Sequence, residues 1–148
     1  MKKAIVFELL LTFACYSEHC QAAERNVPQC DTIQTFFRAQ RYLGNHSLRP
    51  SIRSVGLEQN ARAILICVRS NNSAKRDLDL ITAAIQLREA GELANENKQT
   101  ARAHALVRES LAMLSMIHSA GLAPVDRDTL ETATQTAKWD LQGNWQII

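Results

Sequence analysis

The chain has 148 residues, of which 46% are hydrophobic and 5% aromatic, and its formal net charge is +2. This length predicts one domain, and so small a net charge argues against nucleic acid as a partner. Glycine and proline are scarce, with five and three residues, and no stretch shows the apolar–polar alternation of a half-buried strand. The predicted fold class is therefore all-α, a single-domain bundle of about five helices.

The start of the chain has the layout of a secretory signal peptide. A basic pair at residues 2–3 precedes a mostly apolar run over 4–16, and alanines suited to a cleavage point follow. The apolar run is shorter than the roughly 20 residues of a standard membrane span, so we expect no stable membrane anchor after cleavage. The sequence predicts a signal peptide over 1–23, a helical domain over 24–148, and a periplasmic or secreted location.

Two cysteines, Cys30 and Cys67, would remain in the exported chain. An even pair in an oxidising compartment predicts a disulfide. Cys30 shares a helical face with Ile33 and Phe37, and Cys67 lies beside the apolar stripe of the second predicted helix, so both sulfur atoms would point inward. Such a bond is worth roughly 3–4 kcal/mol in the chain-entropy model. The alternative is a pair of buried free thiols in a cytosolic protein.

Apolar residues at helical spacing predict the five helices. Their bounds are 31–43, 57–70, 74–95, 99–120 and 126–141, with a connecting loop over 48–55. The third and fourth form a central αα-hairpin, because the turn between them is short. The fourth is almost entirely apolar over 111–117, which is typical of a buried helix, so we expect it to be the central one. Gly91 in the third predicts either close contact with another helix or an early end.

The charges are distributed unevenly. Residues 24–76 have nine basic and three acidic side chains, a net charge of +6, whereas residues 77–148 have six basic and ten acidic ones, a net charge of −4. One interpretation is that oppositely charged halves pack together. The other is a basic surface on the first helix and its loop that contacts a protein with an acidic surface, an anionic lipid or an anionic cell-wall polymer. The candidate residues are Arg38, Arg41, Arg49 and Arg53.

The C-terminal tail is apolar where chain ends are usually polar. It contains Trp145, Ile147 and Ile148. We expect the tail to dock on the bundle. The alternative is an exposed hook that a partner captures.

No motif supports catalysis or cofactor binding. A glycine-rich phosphate loop, a Cys-x-x-Cys pair and a haem-attachment motif are all missing. His104 and His118 are about 21 Å apart along one helix, too far to bind one metal ion. We therefore predict no cofactor, no metal and no catalytic set.

The leading functional hypothesis is a small exported, disulfide-bonded helical protein that acts by protein–protein binding. An inhibitor, an immunity-type protein or an envelope assembly factor would fit this composition. One alternative is a carrier bundle that holds a lipid or other apolar ligand between helices three, four and five. Another is a small helical enzyme, which would need a pocket where charged side chains converge.

Overall fold

The computed structural model describes residues 32–70 and 75–145. Within these ranges the chain forms five α-helices and one turn of 3-10 helix and contains no strand, which confirms the all-α class. The helices are α1 (Thr32–Gly44), α2 (Pro50–Ser70), α3 (Arg76–Glu96), α4 (Thr100–Ser115) and α5 (Pro124–Leu141), and the 3-10 turn is Ser119–Gly121. The predicted signal peptide over 1–23 lies outside the described residues. No helix in the described part of the chain is long and apolar enough to cross a membrane.

The helix α1 packs against the side of α2. Ala39 is buried, and Tyr42 and Leu43 pack against the core. The chain then turns through residues 45–49, where the side-chain oxygen of Asn45 accepts a hydrogen bond from the backbone N–H of Ser47 at 3.2 Å. A loop this short makes α1 and α2 antiparallel neighbours.

The helix α2 begins at Pro50, so the predicted loop over 48–55 is wrong from that residue onward. Proline suits the first helical position because no N–H is needed there. The first two turns invert the usual pattern, with two exposed apolar and two buried polar side chains: Ile52, Val55, Arg53 and Ser54. Because the apolar side chains of these turns face outward, the apolar spacing of the sequence does not indicate the start of the helix.

The central helix of the bundle is α3. It packs against α2, α4 and α5, whereas α4 packs mainly against α3 and α5. The expectation that the fourth helix is central is therefore wrong. Small side chains allow neighbouring helices to approach α3 closely on several sides, and the ones that are buried are Ala83, Ala84, Ala90, Gly91 and Ala94.

The helix α4 ends at Ser115, five residues before the predicted end. The backbone N–H of Met116 bonds to the carbonyl oxygen of Met113 at 3.1 Å, a tight turn that closes the helix. His118 is already extended, with φ −89° and ψ 109°. The apolar run 111–117 is therefore only partly buried.

The predicted hairpin of α3 and α4 is present, with a shorter second arm than expected. The backbone N–H of Gln99 bonds to the carbonyl oxygen of Ala94 at 2.8 Å, and Lys98 has a φ of 61°. This left-handed residue after the last helical turn is a common way to end a helix. The chain reverses direction within three residues as a result.

Buried polar side chains fix α2 and α4 on α3. Three hydrogen bonds do this: Ser54 Oγ to the carbonyl oxygen of Ala90 (2.7 Å), Ser110 Oγ to that of Ala84 (2.6 Å), and Asn60 Nδ2 to Gln86 Oε1 (2.8 Å). Because a buried polar group is costly without its partner, these bonds favour one register of the three helices over others.

Candidate functional site

The arginines predicted as a binding surface do not share one environment. Arg38 and Arg41 are exposed on α1, and Arg49 is exposed in the loop before α2. Arg53, by contrast, is only 8% exposed. The structure therefore leaves three of the four arginines on the surface.

Arg53 caps the C-terminal end of α1. Its Nε donates to the carbonyl oxygen of Tyr42 at 2.7 Å, and its Nη2 donates to that of Leu43 at 2.6 Å. The last carbonyl groups of a helix lack partners within the helix and have partial negative charge, so a cation there is stabilising. The guanidinium of Arg53 thus has a structural role, which corrects its assignment to the exposed surface.

An open groove lies at one end of the bundle, where the C-terminal ends of α2 and α4 meet the start of α3. It has a volume of about 800 Å³. Apolar side chains form its floor: Leu65 and Val68 from α2, Leu80 from α3, and Met113 from α4. Clefts of this size and polarity are typical of ligand-binding sites.

The rim of the groove is mainly basic. Arg69 and Arg76 lie on it, both exposed, and neither forms an ion pair with a carboxylate of the described residues. Asp77 and Glu109 also line the rim. The charge of Glu109 is already balanced, because Arg62 Nη2 lies 2.7 Å from its Oε2. On the rim, Arg69 and Arg76 therefore outnumber the one carboxylate, that of Asp77, whose charge Arg62 does not balance.

Met116 adds an apolar edge to the groove. It is 63% exposed and lines the groove together with the neighbouring His118. An exposed, flexible methionine next to an apolar floor adapts readily to a bound partner. Sequence reasoning missed this site because its residues come from three helices. The close spacing of Met113, Met116 and His118 is the one local feature of the sequence that falls within the site.

A charged cluster joins α3 to α5. Arg88 Nη1 lies 2.7 Å from Glu92 Oε1 and 3.1 Å from Asp140 Oδ2. Asp140 is fully buried, and its Oδ1 has no hydrogen-bond partner in the described structure. Burial raises the pKa of Glu92 to about 7 and raises that of Asp140 above its ordinary value, while Arg88 opposes both changes. Two carboxylates on one arginine favour retention of a proton.

A second charged cluster joins α2 to α4. Arg102 Nη2 donates to Glu58 Oε2 at 2.6 Å, and its Nη1 donates to Ser54 Oγ at 2.8 Å. Glu58 Oε1 lies 3.4 Å from Arg62, which also pairs with Glu109. The hydrogen bond to Glu109 is the main cause that raises the pKa of Arg62, against the opposing effect of burial. These alternating charges connect α2 to α4 and reach the rim of the groove at Glu109.

The described part of the tail contacts α4. The ring of Trp145 lies 5.5 Å from that of His104, centroid to centroid, at an interplanar angle of 35°. Ile147 and Ile148 lie outside the described residues, so docking of the whole tail stays a prediction.

One of the two cysteines of the predicted disulfide lies among the described residues. Cys67 is partly buried on α2, whereas Cys30 lies outside the described residues. The pairing therefore stays a prediction. Over 32–70 and 75–145, no group of three or more His, Cys, Asp or Glu side chains is placed to hold a metal ion.

The groove is the described feature that combines an apolar cavity with arginines available at its edge. The groove is therefore the best candidate for the functional site. The chain matches no protein-family model, no curated protein and no solved structure.

Proposed function

We propose that this is a small exported helical protein that acts by binding another protein. The groove between α2, α3 and α4 would hold an apolar, acidic segment of that partner. The observation that carries this proposal is an apolar floor with two exposed arginines, Arg69 and Arg76, on its rim. An apolar centre surrounded by charged groups is the usual arrangement of a protein-binding surface.

The charge of the chain supports an acidic partner. Arg69 and Arg76 belong to residues 24–76, whose net charge is +6. The exposed arginines of α1 and its loop belong to the same half and remain a second candidate surface. The apolar cleft beside α1, which Leu43 and Ile85 help to line, has a volume of only about 150 Å³, so the groove is the better candidate for the centre of the interface.

The register of α1 and α2 supports the predicted disulfide. The ring of Tyr42 packs directly on Gly56. Because the two helices are antiparallel, Thr32, ten residues before Tyr42, is level with Ile66, ten residues after Gly56. In the sequence, Cys30 precedes Thr32 by two residues and Cys67 directly follows Ile66. We therefore propose the pair as a disulfide, with the signal peptide and the oxidising compartment that it implies.

Site-specific cross-linking tests the groove in the producing cell. A photoreactive amino acid at Met116 should form a covalent adduct with one partner protein. The same amino acid at Val125, an exposed position of α5, is the matched control and should not. If the adduct forms only at Val125 or at neither position, the proposed site is wrong.

Charge reversal then tests the chemistry of the partner. With the cross-linked partner purified, the double variant Arg69→Glu/Arg76→Glu should weaken binding at least tenfold, about 1.4 kcal/mol. Arg38→Glu/Arg41→Glu should change the dissociation constant less than about twofold, since exposed charges outside an interface contribute little. A larger increase of the dissociation constant for Arg38→Glu/Arg41→Glu than for Arg69→Glu/Arg76→Glu would place the interface on α1.

The groove also supports one alternative, a carrier of an amphipathic small molecule. Its volume of about 800 Å³ lies within the range of small-ligand sites, and the arginines would bind an anionic head group. The predicted carrier cavity lay between helices three, four and five, whereas the groove involves α2, α3 and α4. Native mass spectrometry of protein purified from its host distinguishes the two: a bound small molecule favours the carrier, and a bare chain favours protein binding.

A further inference from the structure

The outer face of α2 has an apolar stripe that no other described helix covers. Ile52, Val55 and Ile66 are 50%, 44% and 52% exposed. Gln59 and Ala63 lie between them on the same face, because residues three and four apart are neighbours on a helix. The stripe spans fifteen residues, and its first and last residues are about 21 Å apart along the helix axis. Three large apolar side chains aligned on one exposed helix face are typical of an interaction site.

The opposite face of α2 already supplies the core. Leu57, Ala61 and Ile64 on that face are almost completely buried. The exposed stripe is therefore a second apolar face of the same helix, and packing within the bundle does not account for it. This distinguishes it from the occasional apolar residue that any protein surface contains.

The spacing of the stripe reads the same in both directions. The intervals between its five residues are three, four, four and three, with Gln59 at the centre. If two copies of α2 pack antiparallel about a two-fold axis through Gln59, Ile52 lies opposite Ile66, and Val55 lies opposite Ala63. A two-fold interface requires one patch to be complementary to itself, and this stripe meets that requirement.

The charges beside the stripe are also complementary under this symmetry. Glu58 precedes Gln59 by one residue, and Arg62 follows it by three. The two-fold axis brings Glu58 of one copy to within about 3 Å, measured along the helix axis, of the level of Arg62 in the other. Both lie on the same flank of α2. Within each chain, Glu58 also pairs with Arg102 and Arg62 with Glu109. The symmetry would extend these pairs across the border of the interface, while the stripe itself buries no charge.

We propose that this chain forms a two-fold symmetric dimer in which the outer faces of two α2 helices pack antiparallel around Gln59. A second copy fits the stripe better than an acidic partner does, because the stripe has no cation at its centre. The proposal does not depend on the function of the groove, whose floor residues face the other side of α2.

Sedimentation equilibrium of the exported chain tests the dimer. Wild-type protein should dissociate from dimer to monomer on dilution. Ile52→Glu and Ile66→Glu should each raise the dissociation constant at least tenfold. Val125→Glu, at an apolar position of α5 that is 69% exposed, should leave it unchanged. Circular dichroism confirms that each variant is folded.

Cysteine cross-linking tests the symmetry and does not depend on disruptive variants. Gln59→Cys should form covalent dimers with itself under mild oxidation. Val55→Cys should cross-link efficiently only with Ala63→Cys. Gln135→Cys, on the exposed surface of α5, is the control. Monomeric wild-type protein at all concentrations, or a Gln59→Cys yield no higher than that of Gln135→Cys, would overturn the proposal.

Discussion

Single small residues decide how closely the helices of this bundle pack. At Gly91 of α3, an added Cβ atom would lie 2.8 Å from Val107 Cγ2 and 3.1 Å from the carbonyl oxygen of Ala103. The carbonyl oxygen cannot move without shifting α4. The sequence predicted either close contact or an early helix end at Gly91. These distances confirm the close contact. An early helix end is excluded, because α3 continues to Glu96.

Gly91→Ala should destabilise the fold by about 1–3 kcal/mol, since overpacking forces the α3–α4 contact apart. Urea denaturation measures the change. Gly121→Ala is the matched control, because an added Cβ there has nothing within 4 Å. It should change the stability by less than about 0.5 kcal/mol. Equal effects at both positions would contradict the close contact.

At the scale of elements, α5 is attached to α3 partly through buried charge. Glu92 and Asp140 share one arginine, Arg88, so the cluster has one carboxylate in excess. Burial raises the pKa of Glu92 to about 7, against an ordinary 4.5. Between these two values the folded chain retains a proton that the unfolded chain has released. Stability therefore falls as the pH rises from about 4.5 to 7.

Glu92→Gln should remove part of this pH dependence. The variant leaves one carboxylate for one arginine. At pH 8 we therefore expect its free energy of unfolding to exceed that of wild type by on the order of 1–3 kcal/mol. At pH 4 the two proteins should have similar stability. Glu131→Gln, at an exposed position of α5, is the control. Thermal unfolding at pH 4 and pH 8 measures both, and a variant less stable than wild type at pH 8 would show that the ion pair outweighs the cost of burial.

At the scale of the whole molecule, the proposed disulfide would connect the start of α1 to the end of α2. The packing of the Tyr42 ring on Gly56 sets the register of these two helices. The bond would reduce the conformational freedom of the unfolded chain most strongly in the half of the sequence that has the net positive charge. It also links the fold to an oxidising compartment.

Protein purified from its producing cell should therefore show no thiol that reacts with an alkylating reagent until it is unfolded and reduced. Cys67→Ser should lower stability by roughly 3–4 kcal/mol. The double variant Cys30→Ser/Cys67→Ser should be no less stable than either single variant, because one bond is lost in every case. Mass spectrometry after alkylation measures the first result and denaturation the second. Two reactive thiols in the native protein would reject both the pairing and the compartment.

The sequence by itself determined the helical class and most helix positions. Apolar spacing, turn residues and the scarcity of glycine act locally, so they can be read along the chain. The same local signals indicated the hairpin of α3 and α4 and the two possible roles of Gly91. They failed at the start of α2, where the polar side chains face inward and the apolar ones face outward.

Only the tertiary structure decided which helix is central, where the cavity lies and what each arginine does. Arg53 and Arg69 look alike in sequence, yet one is buried against carbonyl groups of α1 and the other lies on the rim of the groove. The groove itself consists of residues from three helices and from the turn after α4, from Leu65 to His118, which are more than fifty positions apart. Contacts of that range depend on how the helices pack against one another, and local periodicity contains no information about them.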